Sequence, residues 1–166
     1  MELLKMGRCF AEDVIEQKVI INMKHVKIYF EHNNTPEGKF GIESAWAIPD
    51  GEFYKLDNIL FYAPEYSLGD VVSVENRNGE LFVTGLIKES GHSTVRIIFY
   101  NADDIIKTRK FLEDLGCESE ISDIPTLLAV DIPTNVNYQI VKEALMQGEA
   151  MSKWGYEEAC IAHPNA

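Results

Sequence analysis

Apolar and polar residues alternate through the middle of the chain in short runs that turn residues separate. Between Ser67 and Tyr100, three such runs are joined by the turn sequences Asn76–Gly79 and Glu89–His92. Asn and Gly accept the positive φ of a tight hairpin, so Asn-Gly between two β-rich runs predicts a β-hairpin. The pattern therefore predicts three antiparallel strands. The third, Thr94–Tyr100, is apolar on one face and half apolar on the other, as in a strand covered on both sides.

The residues before this region show the same two-residue period. Val26, Ile28 and Phe30 alternate with Lys27, Tyr29 and Glu31, which is typical of a half-exposed strand. Two further strands are expected on either side of a Pro-Asp-Gly turn at residues 49–51. Residues 24–100 thus predict about six short strands with the turn spacing of a small barrel or strongly bent sheet.

From residue 94 the pattern changes to that of an α/β unit. One helix is expected between Asn101 and Gly116, and a second opens at Pro133 and ends at Gly148 or at Gly155. Strands are expected before, between and after these helices. The order β-α-β-β-α-β over residues 94–162 is that of the ferredoxin-like split βαβ unit, and the predicted fold class is α+β.

The chain divides into three parts on these patterns. Residues 1–23 form an N-terminal extension whose loose apolar stripe predicts a short helix. Residues 24–93 form a β-rich half, and residues 94–162 form the split βαβ half. We expect the two halves to make one compact unit.

The net charge of the chain argues against some classes of binding partner and favours others. There are 15 Lys and Arg against 27 Asp and Glu, a formal net charge of −12. Nucleic-acid binding draws its free energy from Lys and Arg that displace counterions, so this balance argues against a nucleic-acid partner. It favours a solvated surface, or a protein partner that is basic.

The cysteines and the hydropathy indicate the cellular compartment in which the protein is expected. Cys9, Cys117 and Cys160 are far apart, odd in number and outside any Cys/His cluster, so neither a disulfide scaffold nor a zinc site is predicted. No metal or other cofactor is expected. The chain contains no apolar run of about 18 residues and no signal-peptide pattern, so we expect a cytoplasmic protein without a membrane span.

One polar group of residues has the composition of a catalytic or ligand site. His92 as a base toward Ser93, with Asp57 to orient it, is an enzyme hypothesis. The alternative is a structural polar cluster of Asp57, Asn58, His92 and Arg96, in which Arg96 pairs with Asp57 or Glu43. Adjacent residues of a strand point to opposite faces, which argues against a His92–Ser93 dyad.

A second group of residues has the composition of a protein-binding surface. Five acids fall within eleven residues near the end of the first predicted helix and the next strand, and two aromatic residues are candidate anchors beside them. The predicted partner-binding residues are Glu113, Asp114, Glu118, Glu120, Asp123, Trp154 and Tyr156. The alternative is a solvated face.

Five short motifs in order resemble those of the bacterial family called domain of unknown function 4265. They are Glu43–Ala47, Gly51–Ile59, Phe61–Ala63, Leu68–Val72 and Ser90–Arg96. The resemblance covers residues 24–162 and leaves residues 1–23 outside the pattern. The family pattern has Pro where this chain has Leu60.

The resemblance implies a small bacterial protein whose activity is undefined, of the kind often encoded beside polymorphic toxins. Together with the acidity, it favours a non-enzymatic immunity protein that neutralises a basic, nuclease-type toxin, as a monomer in a heterodimeric complex. The alternatives are a small-molecule-binding regulatory domain and an enzyme that uses His92.

Overall fold

The computed structural model of the chain describes residues 24–33 and 38–164. It is an α+β structure with two antiparallel-dominated sheets and two helices. The helix expected in residues 1–23 lies outside the described residues. Within the described ranges, no helix has the length and apolar character that crossing a membrane requires.

The first sheet is a five-stranded barrel. Each strand pairs antiparallel with the next one along the chain, and a short parallel pairing of the first strand with the fifth closes the barrel. The strands are β1 (Val26–His32), β2 (Gly41–Asp50), β3 (Phe53–Leu56), β4 (Val71–Arg77) and β5 (Glu80–Lys88). The predicted Asn-Gly hairpin is confirmed, since Asn78 and Gly79 join β4 to β5 with φ of 54° and 94°.

Small side chains allow the barrel to close around a narrow core. In the pairing of β1 with β2, Ile28 lies opposite Ala45, and Val26 lies opposite Ala47. Large residues on one strand thus face small ones on the next, which fits the tight interior of a small barrel. The buried cluster is Ile28, Phe30, Ala45, Ala47, Leu56, Leu60, Ala63 and Val72.

The second sheet carries both helices. Its elements are β6 (Ser93–Phe99), α1 (Asp103–Asp114), β7 (Glu118–Ile121), β8 (Leu127–Ile132), α2 (Tyr138–Ala150) and β9 (Trp154–Cys160). The strand order is β7-β8-β6-β9, with every pairing antiparallel. Alternate residues of β6, namely Val95, Ile97 and Phe99, share one core with apolar residues of α1 and α2. The helices therefore cover one face of this sheet and leave the other face toward the barrel.

The prediction that Ser67–Tyr100 forms three mutually paired strands was wrong for the third strand. β6 pairs with β8 and β9, and none of its residues pairs with β5. Between β5 and β6, the chain passes through Gly91 at φ 85° and crosses from the barrel to the second sheet. Both edges of β6 are already filled in its own sheet, so β6 has no free backbone groups for β5.

The second helix also differs from the sequence prediction. It begins one turn later than expected, with the Asn137 side chain accepting a hydrogen bond from Gln139 N at 3.0 Å as the N-cap. Gly148 does not end the helix but lies buried within it, beneath the Trp154 ring. Trp154 in turn donates from Nε1 to Leu145 O at 3.1 Å, and this locks the start of β9 onto α2.

We expect Gly148→Ala to destabilise the fold although Ala is the better helix former. A Cβ at this position would lie 1.8 Å from Trp154 Cζ2, so the ring has to move. The overpacking costs about 1–3 kcal/mol and outweighs the roughly 1 kcal/mol that Ala gains over Gly in a helix. The measurement is the free energy of unfolding in urea. The control is Gly85→Ala, whose Cβ would meet only Ser73 Oγ at 3.6 Å; equal effects of the two substitutions would contradict this packing.

Candidate functional site

A buried arginine lies where the barrel meets the second sheet. Arg96 is on the face of β6 opposite the helices, and it is 3% exposed. Its Nε donates to Leu60 O at 3.3 Å, and its Nη2 donates to Ala63 O at 2.6 Å. Both carbonyls belong to the loop between β3 and β4. The guanidinium of the second sheet therefore holds a loop of the barrel.

Glu43 of β2 holds the same loop through its backbone N–H groups. Its carboxylate accepts from Phe61 N at 2.6 Å, from Tyr62 N at 2.9 Å and from Ala63 N at 2.8 Å. Burial lowers the pKa of Arg96, while the carboxylates of Glu157 and Glu43 act in the opposite direction. The loop is thus held on one side by a cation at its carbonyls and on the other by an anion at its amides.

Other polar side chains of the junction also bind the backbone. Asp70 is buried and accepts from Ser67 N at 2.8 Å and from Ser90 N at 2.7 Å. Asn58 Oδ1 accepts from Trp46 N at 2.6 Å. Since buried N–H groups are costly to leave unpaired, these side chains fix the paths of the connecting loops.

The predicted polar cluster of Asp57, Asn58, His92 and Arg96 does not form as one group. Asp57 instead contacts His25 at 2.6 Å. His92 Nδ1 lies 2.9 Å from both carboxylate oxygens of Asp131. Arg96 has neither Asp57 nor Glu43 as its ion-pair partner; its ion pair is with Glu157.

The proposed His92–Ser93 dyad is absent from this junction. Ser93 is fully buried, and its Oγ lies 2.6 Å from His163 Nδ1 and accepts from Ala162 N at 2.9 Å. The hydroxyl therefore points away from His92 and fastens the segment after β9. The two neighbours face opposite sides of the strand, as the pleat requires.

Asp131 is the residue that sequence reasoning missed. Burial raises its pKa, and the hydrogen bond with His92 opposes that rise. Its signal in the sequence was an acid inside the apolar run Leu127–Ile132. Asp131 orients the imidazole, which lines a groove of about 500 Å³ together with Lys55 and Lys88. The alternative of an enzyme that uses His92 now depends on this pair.

The predicted partner-binding residues fall into four environments. Trp154 is 7% exposed and belongs to the core, so its interpretation as a surface anchor was wrong. Tyr156 is half-buried, with Lys142 Nζ 5.6 Å from its ring centroid. Glu113 and Asp114 both pair with Lys110 at the end of α1. The other three acids lie elsewhere, along β7 and the turn after it.

We call Asp57, Glu118, Glu120 and Asp123 the acidic edge. β7 is an edge strand of the second sheet, and Glu118 and Glu120 lie on the same side of it. Burial raises the pKa of Glu120, and the charges of Glu118 and Asp57 raise it further, although a hydrogen bond with Asn58 lowers it. The barrel and the second sheet thus bring together like charges that are far apart in the sequence.

An apolar groove opens beside the acidic edge, above Arg96. Its volume is about 470 Å³, and Arg96 and Glu157 are among its polar lining residues. Its apolar walls are Phe61, Tyr62, Ile98, Ile124, Leu127 and Tyr156. The hydroxyl of Tyr62 donates to Asp123 Oδ1 at 3.1 Å, so one residue joins the groove to the acidic edge.

The two cysteines in the described part of the chain are not activated nucleophiles. Burial raises the pKa of Cys117 to about 11 and also raises the pKa of Cys160. A thiol with a raised pKa carries little thiolate at neutral pH. Among the described residues, no group of three or more His, Cys, Asp or Glu side chains is placed to hold a metal ion.

We expect Glu43→Gln to destabilise the junction by about 1–3 kcal/mol, because the neutral amide turns an NH₂ toward donors that the carboxylate now satisfies. The free energy of unfolding in urea measures the loss. Glu52→Gln, an isosteric change in the exposed turn between β2 and β3, is the control and should have little effect. A loss that is the same in both variants would argue against the role of the Glu43 carboxylate.

A similar solved structure is that of a hypothetical protein from Neisseria gonorrhoeae. The TM-score is 0.73 and the sequence identity is 22%, with 83% of this chain and 96% of that chain covered. At this identity the likeness shows the fold alone. No curated protein matches the chain.

The family comparison agrees with the motifs found in the sequence. The model of the family described as domain of unknown function 4265 matches residues 43–156. This range begins at Glu43, whose carboxylate holds the loop between β3 and β4, and ends within β9, the strand that contains Glu157. The chain belongs to the family of domain of unknown function 4265.

Proposed function

We propose that this protein is a non-enzymatic inhibitor, an immunity protein that binds a basic bacterial toxin of the nuclease type in the cytoplasm. The acidic edge is the proposed contact surface, and the complex is a heterodimer with one copy of each protein. A nuclease active site must be positive to hold nucleic acid, so an acidic surface that covers it blocks the substrate. The net charge of −12 adds a long-range attraction to such a partner.

The observation that carries this proposal is the raised pKa of Glu120. Burial of the Glu120 carboxylate is the largest cause of this rise, and repulsion from Glu118 and Asp57 adds to it. A Lys or Arg of a partner would relieve the repulsion and bond the carboxylates directly. Binding of a basic partner would therefore be favoured, because it removes this unfavourable interaction.

An exposed apolar side chain beside the acids supports the same surface. Ile124 is 39% exposed, follows β7 and lines the groove beside the acidic edge. Interfaces combine an apolar centre with polar groups at the rim. In contrast, Glu113 and Asp114 already have Lys110 as a partner, so we assign them a smaller share of the binding free energy.

We also infer that the second sheet with its helices is a ferredoxin-like split βαβ unit. The support is the order of elements from β6 to β9 and the strand order β7-β8-β6-β9. In such a unit the helices cover one face of the sheet and leave the other for a partner. Here the barrel occupies part of that open face, which leaves the acidic edge and the groove beside it.

We expect charge reversal of the acidic edge to break the complex. The double variant Glu118→Lys/Glu120→Lys should weaken binding to the protein encoded by the adjacent gene by at least about 100-fold, since two attractions become repulsions. Isothermal titration calorimetry measures the affinity, and survival of cells that express the toxin measures protection.

The matched control for this experiment is Glu113→Lys/Asp114→Lys, which changes the net charge by the same amount on acids that already pair with Lys110. The affinity of this control variant for the partner should fall by less than about tenfold, because only the long-range attraction is reduced. If both variants lose affinity equally, the acidic edge is not the contact surface. If the wild-type protein binds no basic partner at micromolar concentration and protects no cells, the proposed immunity function is wrong.

We expect the complex to weaken as the pH is lowered. The raised pKa of Glu120 means that this carboxylate takes up its proton at a higher pH than an ordinary Glu, and a neutral Glu120 attracts no cation. Glu120→Gln should bind more weakly at pH 8 and show a smaller pH dependence.

Since a raised carboxyl pKa makes the ionised form unfavourable in the folded state, Glu120→Gln should keep or increase the free energy of unfolding at neutral pH. A variant that loses both binding and stability would contradict this assignment.

A further inference from the structure

The guanidinium of Arg96 is not fully satisfied by the protein. An arginine has five N–H donors. Nε and Nη2 of Arg96 bond the carbonyls of Leu60 and Ala63, whereas Nη1 is buried without a hydrogen-bond partner. The nearest acid is Glu157, whose Oε2 lies 3.5 Å from Nη1 and makes an ion pair but no hydrogen bond.

The pairing with Glu157 is the weak part of this arrangement. The Arg96 side chain is 4% exposed, whereas the Glu157 side chain is 51% exposed and lies on the edge strand β9. A half-hydrated carboxylate compensates a buried cation poorly, and a buried charge without a close partner is strongly destabilising. Because Glu157 is half exposed, its carboxylate can turn into water and uncover Nη1.

The space next to Nη1 has the size and lining of a small-molecule site. The groove above Arg96 has a volume of about 470 Å³, within the range of pockets that hold organic ligands. Rings of Phe61, Tyr62 and Tyr156 and side chains of Ile98 and Leu127 surround it. The lining is mainly apolar, and its charged residues are Arg96, Glu149 and Glu157. It therefore favours a ligand that has an apolar body and a single polar head on Arg96, placed away from Glu149.

We propose that this groove binds a small organic carboxylate, with the carboxylate head on Arg96 Nη1 and an aromatic or aliphatic body between the apolar walls. The head takes the place of the Glu157 carboxylate, so the ligand offers the same planar pair of oxygens at closer range. Neither the acidic edge nor the proposed toxin is needed for this binding, which is therefore a separate property of the protein.

The probes for this site are benzoate and octanoate, which present the same head on an aromatic and on an aliphatic body. Benzamide is the control for the head and acetate is the control for the body. Calorimetry should give an affinity for at least one of the two acids that exceeds those of benzamide and acetate by about tenfold or more. On addition of that acid, the Arg96 Nε–H signal should shift in a ¹⁵N–¹H spectrum.

Two variants test the site without removing Arg96, which the fold requires. Glu157→Gln removes the competing carboxylate and should tighten binding about three- to tenfold. Ile98→Trp fills the groove from a half-exposed position of β6 and should abolish binding. Glu143→Gln, on the exposed side of α2, is the control for a change of net charge and should leave the affinity unchanged.

Three results would overturn the proposal. The first is no binding of either acid at millimolar concentration to the wild type and to Glu157→Gln. The second is equal binding of benzoate and benzamide, which would mean that Arg96 does not recognise the head. The third is binding that survives Ile98→Trp in a folded variant, as judged by its unfolding transition, which would place the ligand outside the groove.

Discussion

The burial of one positive charge between two sheets is the constraint on which the rest of this structure depends. Arg96 belongs to the second sheet, but the carbonyls that accept from it belong to a barrel loop. Glu43 completes the arrangement by accepting three amides of the same loop. A buried guanidinium left without these acceptors would be strongly destabilising. The barrel and the second sheet are therefore bound by a network that neither could satisfy alone.

Several side chains of the motifs that identify the family hold this junction together. Glu43, Asn58 and Asp70 each accept hydrogen bonds from backbone amides, and Ser93 fastens the segment after β9. These side chains determine where loops run. The surfaces that we propose for binding lie beside them, on β7 and over Arg96. A family can therefore share its motifs and fold while each member varies its partner through the neighbouring surface.

Local chemistry made much of the fold predictable from the sequence. The Asn78–Gly79 hairpin follows from the positive φ that both residues adopt, and the two-residue and helical periods give the order of elements. Contacts between distant segments were not predictable in the same way. Nothing local shows that His92 would bond Asp131 rather than Asp57, nor that Gly148 would admit the Trp154 ring into the core. Arg96 within the apolar strand β6 and Asp131 within the apolar strand β8 each signalled a buried polar partner, but not which partner.

Tyr62 belongs to both proposed surfaces, although neither needs the other in order to bind. Its ring lines the groove above Arg96 and stacks on His32 with ring centroids 5.8 Å apart. Its hydroxyl donates to Asp123 of the acidic edge, and burial and Asp123 raise the pKa of Tyr62. A ligand that moves this ring also moves the donor of Asp123 and changes the charge distribution that a basic partner meets. Coupling of two binding free energies is reciprocal, so a partner that binds the proposed acidic edge would in turn change the affinity of the proposed groove for an organic acid. The buried cation thus links the two sheets, and the tyrosine beside it links the two surfaces.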